Sequence, residues 1–300
     1  MNKPDLEFTG EFLIPDKTSF IDWKDYQRHI FRYLFASEYV KDKLVLDLAC
    51  GVGYGAYILS KRGAKKVIGG EIKSELLDYA NFYYKGENRY FVSLDCLELP
   101  FRDKSFDIIV SFETIEHLLD VKKFLSESCR ILKPDGAFIC STPNLFSRYT
   151  KEQIPPFHIH EFHLRELKAL LQKHFYEILL FTQDYRSRPE YFLKLVNYFF
   201  DKLIITGVYR FLLKFASKER LKSLKEKTMV IFKLQGIHKN KKANNKLNIG
   251  KDEIGGYIYI NNDVIKNFDP KYEVKKFKNK LMYIPYVFIA ICRKPKGMNF

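Results

Sequence analysis

The 300-residue sequence has five cysteines, one tryptophan and no uncharged run long enough to cross a bilayer. Cys50, Cys96, Cys129, Cys140 and Cys292 lie far apart, are odd in number and include no Cys-x-x-Cys pair. That pattern excludes a disulfide framework or a cysteine-based zinc site and favours a reducing compartment. The opening residues, Met1-Asn-Lys-Pro-Asp-Leu-Glu-Phe, lack the apolar centre of a signal peptide. A cytoplasmic protein is therefore expected, neither secreted nor membrane-spanning. Acidic residues are scarce in one part only. Through Gln183 there are 25 Lys+Arg against 26 Asp+Glu, whereas from Asp184 onward there are 26 against 10, so the C-terminal part carries the whole excess of +15. Such a region attracts anionic lipid, phosphorylated ligands or nucleic acid, unless it is simply a lysine-rich solvated surface.

What is present is concentrated near the start of the neutral part. Val45-Leu-Asp-Leu-Ala-Cys-Gly-Val-Gly-Tyr-Gly55 reads as a buried parallel strand followed by a glycine-rich turn, with a helix under way by residues 57–61. Residues 66–71, Lys-Val-Ile-Gly-Gly-Glu, read as a second strand ending in a carboxylate. In dinucleotide-type folds an acid there holds a ribose diol, so a nucleoside cofactor is expected across the two strand ends. The glycines follow Gly51-x-Gly53-x-Gly55 rather than Gly-x-Gly-x-x-Gly, and Asp47 precedes them. A carboxylate at that point repels a pyrophosphate and suits a cationic ammonium.

Three further segments occur in order: Tyr90-Phe-Val-Ser-Leu-Asp95-Cys96, Ser105-Phe-Asp107-Ile-Ile-Val-Ser111-Phe-Glu-Thr-Ile-Glu116-His117, and Arg130-Ile-Leu-Lys-Pro134-Asp-Gly136-Ala-Phe-Ile-Cys-Ser-Thr-Pro143-Asn144. Together with residues 44–60 they resemble the motifs of the class I S-adenosylmethionine (SAM) methyltransferases. The resemblance implies SAM as cofactor, with Asp47 serving the methionine moiety, Glu71 the ribose, Asp95 the adenine amino group and Cys96 flanking the ring. Ala49, Gly51, Gly53, Ile72 and Ser111 complete the implied cofactor set. It also implies a Rossmann-like, doubly wound α/β fold with a mostly parallel seven-stranded sheet, the last strand antiparallel. Ala49 departs from the family pattern, where glycine is commoner, and Glu71 stands where aspartate is.

Thr9-Gly-Glu-x-x-Ile-Pro15, Arg32-Tyr-Leu-Phe-Ala36, the Ser111 to His117 run, Ser141-Thr-Pro-Asn144 and Phe157-His-x-x-Glu-Phe162 are similar to a narrower group, methyltransferases of bacterial and archaeal surface-glycan pathways. That likeness covers residues 8–181 and implies methyl transfer to a sugar hydroxyl or related small acceptor, free or lipid-linked. N-methylation of an amino sugar, and a non-catalytic membrane- or partner-binding scaffold of the same fold, are the alternatives. RNA methylation, which charge alone suggests, is disfavoured because no aromatic single-strand platform or RNA-binding module is present.

A sulfonium methyl is electrophilic, so the protein's main task is to place a nucleophile in line with it. A hydroxyl acceptor also has a proton to lose, for which histidine is well matched near neutral pH. His117, beside Glu116, is the first candidate. His158 and His160 follow the fifth strand, and as alternate residues of an extended segment both are expected to face the site. Glu113, Glu116 and His117, completed by the distant histidines, offer an alternative divalent-ion ligand set. Their spacing matches no strong metal signature, and no metal is expected.

The expected organisation is an N-terminal extension and helix (residues 1–42, the helix over 22–37), a SAM-binding core (43–183), a basic helical insertion and linker after the sixth strand (184–280), and the final core strand and tail (281–300). Tyr26, Ile30, Tyr33 and Leu34 set the period of the first helix. Leu164, Leu167, Leu170 and Leu171 set that of a helix over 161–174, before strands over 176–181 and 283–293. In the insertion, Phe192, Leu195, Val196, Phe199 and Leu203 form one helical face among basic residues. That face suits peripheral contact with an anionic membrane or, alternatively, a buried lid or homodimer surface.

Overall fold

The computed structural model describes Pro4, Leu6, Ile14 and residues 23–145, 154–187, 274–276 and 283–296. The chain divides into two units, Met1–Ser187 with Lys251–Phe300, and Arg188–Gly250. The second unit lies outside the described residues, and so does most of the expected helical insertion and the Thr9 to Pro15 motif. Among the described residues no helix is long and apolar enough to cross a membrane.

Helix α1 (Trp23–Ser37) precedes an alternating series: β1 (Leu44–Leu48), α2 (Tyr54–Lys61), β2 (Lys66–Glu71), α3 (Ser74–Tyr84), β3 (Arg89–Ser93), β4 (Phe106–Phe112), α4 (Val121–Ile131), β5 (Leu132–Pro143), α5 (Leu164–His174) and β6 (Phe175–Ser187). Two further strands, β7 (Val274–Lys276) and β8 (Tyr283–Pro295), end the described chain. The sheet order is β3-β2-β1-β4-β5-β8-β6-β7. β1 to β5 run parallel, while β8 inserts antiparallel between β5 and β6. This is the expected doubly wound arrangement, and the implied seven strands are all present. The short β7, within residues assigned from sequence to the insertion, adds an eighth at the edge by pairing antiparallel with β6.

Alternation along each central strand divides the core between the two faces of the sheet. Val45, Ile108, Val110, Ile139, Ile289 and Ile291 pack beneath α1, α2 and α3. Leu46, Leu48, Ile109, Phe138, Phe288 and Cys292 pack with Phe124 and Ile131 of α4 and Leu167 and Leu171 of α5. The strands are therefore apolar on both sides, as parallel strands covered by helices must be. Their carboxyl ends, at Leu48, Glu71, Ser93 and Phe112, carry the polar residues the sequence singles out.

Two helix starts differ from expectation. α2 begins at Tyr54 directly after Gly53, so Gly55 lies in the helix and not in the turn. A Cβ at Gly55 would stand 2.0 Å from the Tyr33 ring, so this glycine lets α1 and α2 approach. α5 begins at Leu164, because His163 caps it in a capping box with Glu166 and leaves Glu161 in the preceding loop. Gly55→Ala should overpack this contact and destabilise the fold by about 1–3 kcal/mol. Urea denaturation of the full chain checks this, with a lowered transition midpoint as the expected outcome.

Candidate functional site

The site begins where β1 ends. Asp47 is fully buried. Its Oδ1 accepts a 3.1 Å hydrogen bond from the Tyr33 hydroxyl on α1, and its carboxylate also takes the Ala56 N–H near the start of α2. Oδ2 has no hydrogen-bond partner among the described residues. Burial pushes the Asp47 pKa up to about 7 against the relief from these donors, with nearby Glu71 adding to the rise. A buried carboxyl with a vacant oxygen is costly unless a cation meets it.

The chain then turns back over this carboxyl. Ala49 adopts φ 60 and Gly51 φ 56, both left-handed, and Gly53 follows at φ 87. Ala49 thus occupies a conformation that favours glycine, the residue that the methyltransferase motif it resembles more often has there. A Cβ at Gly51 would have nothing within 4 Å, so open space lies over this loop, whereas one at Gly53 would meet Ala80 and the Phe91 ring at 2.8 Å. The two glycines serve different purposes: Gly53 allows packing against α3 and β3, and Gly51 leaves the backbone accessible.

Glu71, at the end of β2, ties the loop to the next strand. Its Oε2 accepts the Gly51 N–H at 3.0 Å, and Oε1 accepts those of Ile72 and Lys73 at 2.9 and 3.2 Å. Beside it Ile72 is 63% exposed, a large apolar side chain available to a flat ligand. Asp95 is exposed after β3 and accepts the Leu97 N–H at 2.8 Å, with Cys96 half-buried beside it. The Cys96 thiol is pushed up to about 12 by burial, then by the Asp95 charge, and is no nucleophile. Ser111 is different: it is 1% exposed and donates to the Thr114 hydroxyl, shaping the turn after β4 from inside.

That turn carries Glu113 at φ 51 and the short 3₁₀ segment Ile115–His117. Glu113 Oε1 lies 2.6 Å from the Arg32 guanidinium and accepts the Ser141 hydroxyl at 2.6 Å. It thereby joins a pair with the buried Arg32 while itself only half-buried. Glu116 is fully buried, and its Oε2 accepts the Thr142 hydroxyl at 3.0 Å. Desolvation, followed by the charge of Glu113, holds its pKa well above the usual carboxylate range. His117 donates Nδ1–H to the Phe157 carbonyl at 3.0 Å and stacks on the Phe157 ring. His158 meets His117 edge-on with ring centroids 4.8 Å apart, and its Nδ1 lies 2.8 Å from Glu161 Oε1.

The sequence-stated histidines are thus brought together only in part. His117, Glu116 and His158 form one cluster, but His160 pairs with Glu166 of α5 at 2.7 Å in an exposed position. The segment bends between them, because the Ile159 and His160 N–H groups both reach back to the Glu116 carbonyl, at 2.8 and 3.1 Å. An alternation rule for extended chain does not survive that bend. Sequence reasoning also missed the site role of α1. Tyr33 reaches Asp47, while Tyr54 hydrogen-bonds His29 at 3.1 Å. In the sequence Tyr33 is visible only as one of the apolar positions of an amphipathic helix.

A family model described as a methyltransferase domain matches residues 46–140. The chain is 34% identical over 175 residues to a probable S-adenosylmethionine-dependent methyltransferase of Mycolicibacterium smegmatis, covering 58% of this chain and 66% of that protein. It is 37% identical over 112 residues to a mitochondrial ubiquinone biosynthesis O-methyltransferase of Dictyostelium discoideum, covering 33% of this chain and 35% of the other. The matched part therefore spans less than two thirds of either relative's length. Among solved structures, the YcgJ protein of Bacillus subtilis aligns at 18% identity and a TM-score of 0.48, over 90% of this chain and 99% of that one.

The raised Asp47 pKa gives a signed pH dependence. The folded state retains a proton between about pH 3.8 and 7 that the unfolded chain has lost, so stability falls as pH rises through that window. The slope is about 1.4 kcal/mol per pH unit for this one group. Asp47→Asn should remove that component, and denaturation from pH 4 to 8 should show the variant gaining on wild type as pH rises.

Proposed function

We propose that this chain, whose residues 46–140 match a methyltransferase domain model, is a class I SAM-dependent methyltransferase acting on a hydroxyl of a sugar or related small acceptor. The observation that carries the cofactor half is the cradle at the end of β1: a buried carboxyl whose Oδ2 has no partner among the described residues, open space over Gly51, and the Glu71 carboxylate at the neighbouring strand end. Those groups fit an ammonium and a ribose diol in adjacent positions. Asp47 would take the methionine ammonium, Glu71 the ribose and Asp95 the adenine amino group, with Ile72 and Cys96 against the ring. Bound SAM supplies an electrophilic methyl on a cationic sulfur. The protein's own work is to orient the acceptor and draw off its proton.

The acceptor side is the cluster at the end of β4, the strand that pairs directly with β1. Glu116, His117 and His158 offer basic groups there, which a hydroxyl acceptor needs and a neutral amine does not. The surface-glycan likeness supports a sugar. The +16 excess after Gln183 supports a peripheral, cytoplasmic-face setting on an anionic membrane, where a lipid-linked acceptor would reside.

Calorimetry with SAM and S-adenosylhomocysteine, followed by labelled-methyl transfer to nucleotide sugars, lipid-linked sugars and RNA, tests the reading. The expected result is cofactor binding, with label appearing in a sugar fraction only. His117→Ala should lower turnover on the order of 10²-fold with SAM affinity nearly unchanged. Folded protein that binds no SAM would overturn the activity, and label confined to RNA would overturn the acceptor.

The membrane setting has its own test. Each basic residue at an anionic surface contributes about 1 kcal/mol, screened as salt shortens the Debye length. Co-sedimentation should therefore occur with anionic vesicles at low salt, weaken at high salt and be absent with neutral vesicles. A stable dimer that ignores anionic vesicles would replace this setting with an oligomer surface.

A further inference from the structure

The cluster at the end of β4 contains more than a base requires. Glu116 is completely buried, yet its Oε1 has no hydrogen-bond partner among the described residues, while Oε2 is satisfied by Thr142. Leaving a buried carboxyl oxygen unmet is costly, so its retention asks for a partner beyond the described residues. His117 Nε2 lies 4.0 Å from that oxygen.

The hydrogen bonds of the two histidines fix which nitrogen each presents. The Phe157 carbonyl, 3.0 Å from His117 Nδ1, can only accept, so Nδ1 carries a proton and, in the neutral ring, Nε2 bears the lone pair. The Glu161 carboxylate, 2.8 Å from His158 Nδ1 and 3% exposed as a residue, selects the same tautomer for a neutral His158 ring. A backbone carbonyl and a carboxylate on the far nitrogens are the outer partners that orient metal-binding imidazoles and raise their basicity. One ligand atom from each of Glu116, His117 and His158 lies within 4.8 Å of the other two. Bonds of about 2.0–2.2 Å to one ion require these atoms to be roughly 3–3.5 Å apart, a contraction that side-chain torsions can supply. The backbone already pins the two segments, through the Ile159 and His160 N–H groups on the Glu116 carbonyl.

We propose that Glu116, His117 and His158 form a binding site for a divalent first-row transition ion, with two imidazoles and one carboxylate as protein ligands and the remaining positions open. Two nitrogens and one oxygen favour zinc, iron, cobalt or manganese over magnesium, which prefers an all-oxygen shell. Positive charge would also satisfy Glu116 in its ionised form. Resting on the methyl-transfer reading, the open positions would take the acceptor hydroxyl. The ion would lower its pKa, so that the O–H proton passes to solvent water and the oxygen keeps the electron pair. His117 would then act as a ligand and not as the proton acceptor.

The test uses the full chain, freed of metal with a chelator and titrated with Co2+ while visible absorption and heat are followed. One equivalent should bind, and Glu116→Gln and His158→Ala should each weaken binding tenfold or more. Glu161→Gln, which alters only the outer partner, should weaken it on the order of 10-fold. SAM calorimetry on the same samples should be unchanged, which shows that the variants are folded. Stoichiometric Co2+ binding that Glu116→Gln leaves intact would overturn the site, as would failure of wild type to bind Co2+ while still binding SAM. Co2+ uptake without SAM binding would retain the metal site and overturn the methyl-transfer reading instead.

Discussion

The Arg32–Glu113 pair is the interaction on which the two halves of the site depend. Arg32 is 2% exposed, with its guanidinium 2.6 Å from Glu113 Oε1 and 3.2 Å from the Ser141 hydroxyl. It is a helix residue buried over the carboxyl ends of β4 and β5. A buried guanidinium is tolerable only with a partner present, and removing the half-buried Glu113 would leave it uncompensated. By anchoring α1, Arg32 fixes Tyr33 one residue on, and Tyr33 fixes Asp47. By anchoring Glu113 in its left-handed conformation, the same pair sets the turn that delivers Glu116 and His117. Asp47 on one side and the Glu116–His117 turn on the other are therefore positioned through one contact, although neither contains it.

Much of the arrangement was legible because parallel strands and glycine turns leave strong local marks. β2 falls where the Lys-Val-Ile-Gly-Gly-Glu run placed it, and α1 begins within one residue of expectation. Asp47 and Glu71 could be read as neighbours because strand ends in a doubly wound sheet lie side by side. What failed was local geometry imposed by tertiary contacts. Gly55 reads as a third turn glycine, but the Tyr33 ring against it can be known only once α1 lies across α2. His160 reads as the equal of His158 until two backbone N–H groups folding back onto Glu116 turn it outward. Tyr33 and Arg32 gave no sign of their separate tasks, since a periodic helix face does not distinguish a side chain that packs from one that packs and also hydrogen-bonds.

Asp47 and Glu116 stand at the ends of adjacent strands and share one electrostatic condition. Each is fully buried, each has one oxygen satisfied by a hydroxyl donor, each has the other without a hydrogen-bond partner among the described residues, and burial holds each pKa high. Unfilled, both positions cost the folded state free energy as pH rises, because ionisation must occur in a desolvated site. A cation reverses that sign by stabilising the ionised form. On the proposed reading Asp47 meets the ammonium of the methyl donor and Glu116 meets a metal ion, so stability given up in the empty protein is regained on loading. The same buried placement that makes these carboxyls expensive also excludes water from them, which strengthens their attraction for a positive charge. On that reading, two buried acids at and beyond the carboxyl ends of the central strands β1 and β4, both with raised pKa values, would each meet a cation, one beside the glycine loop and one beside the histidines.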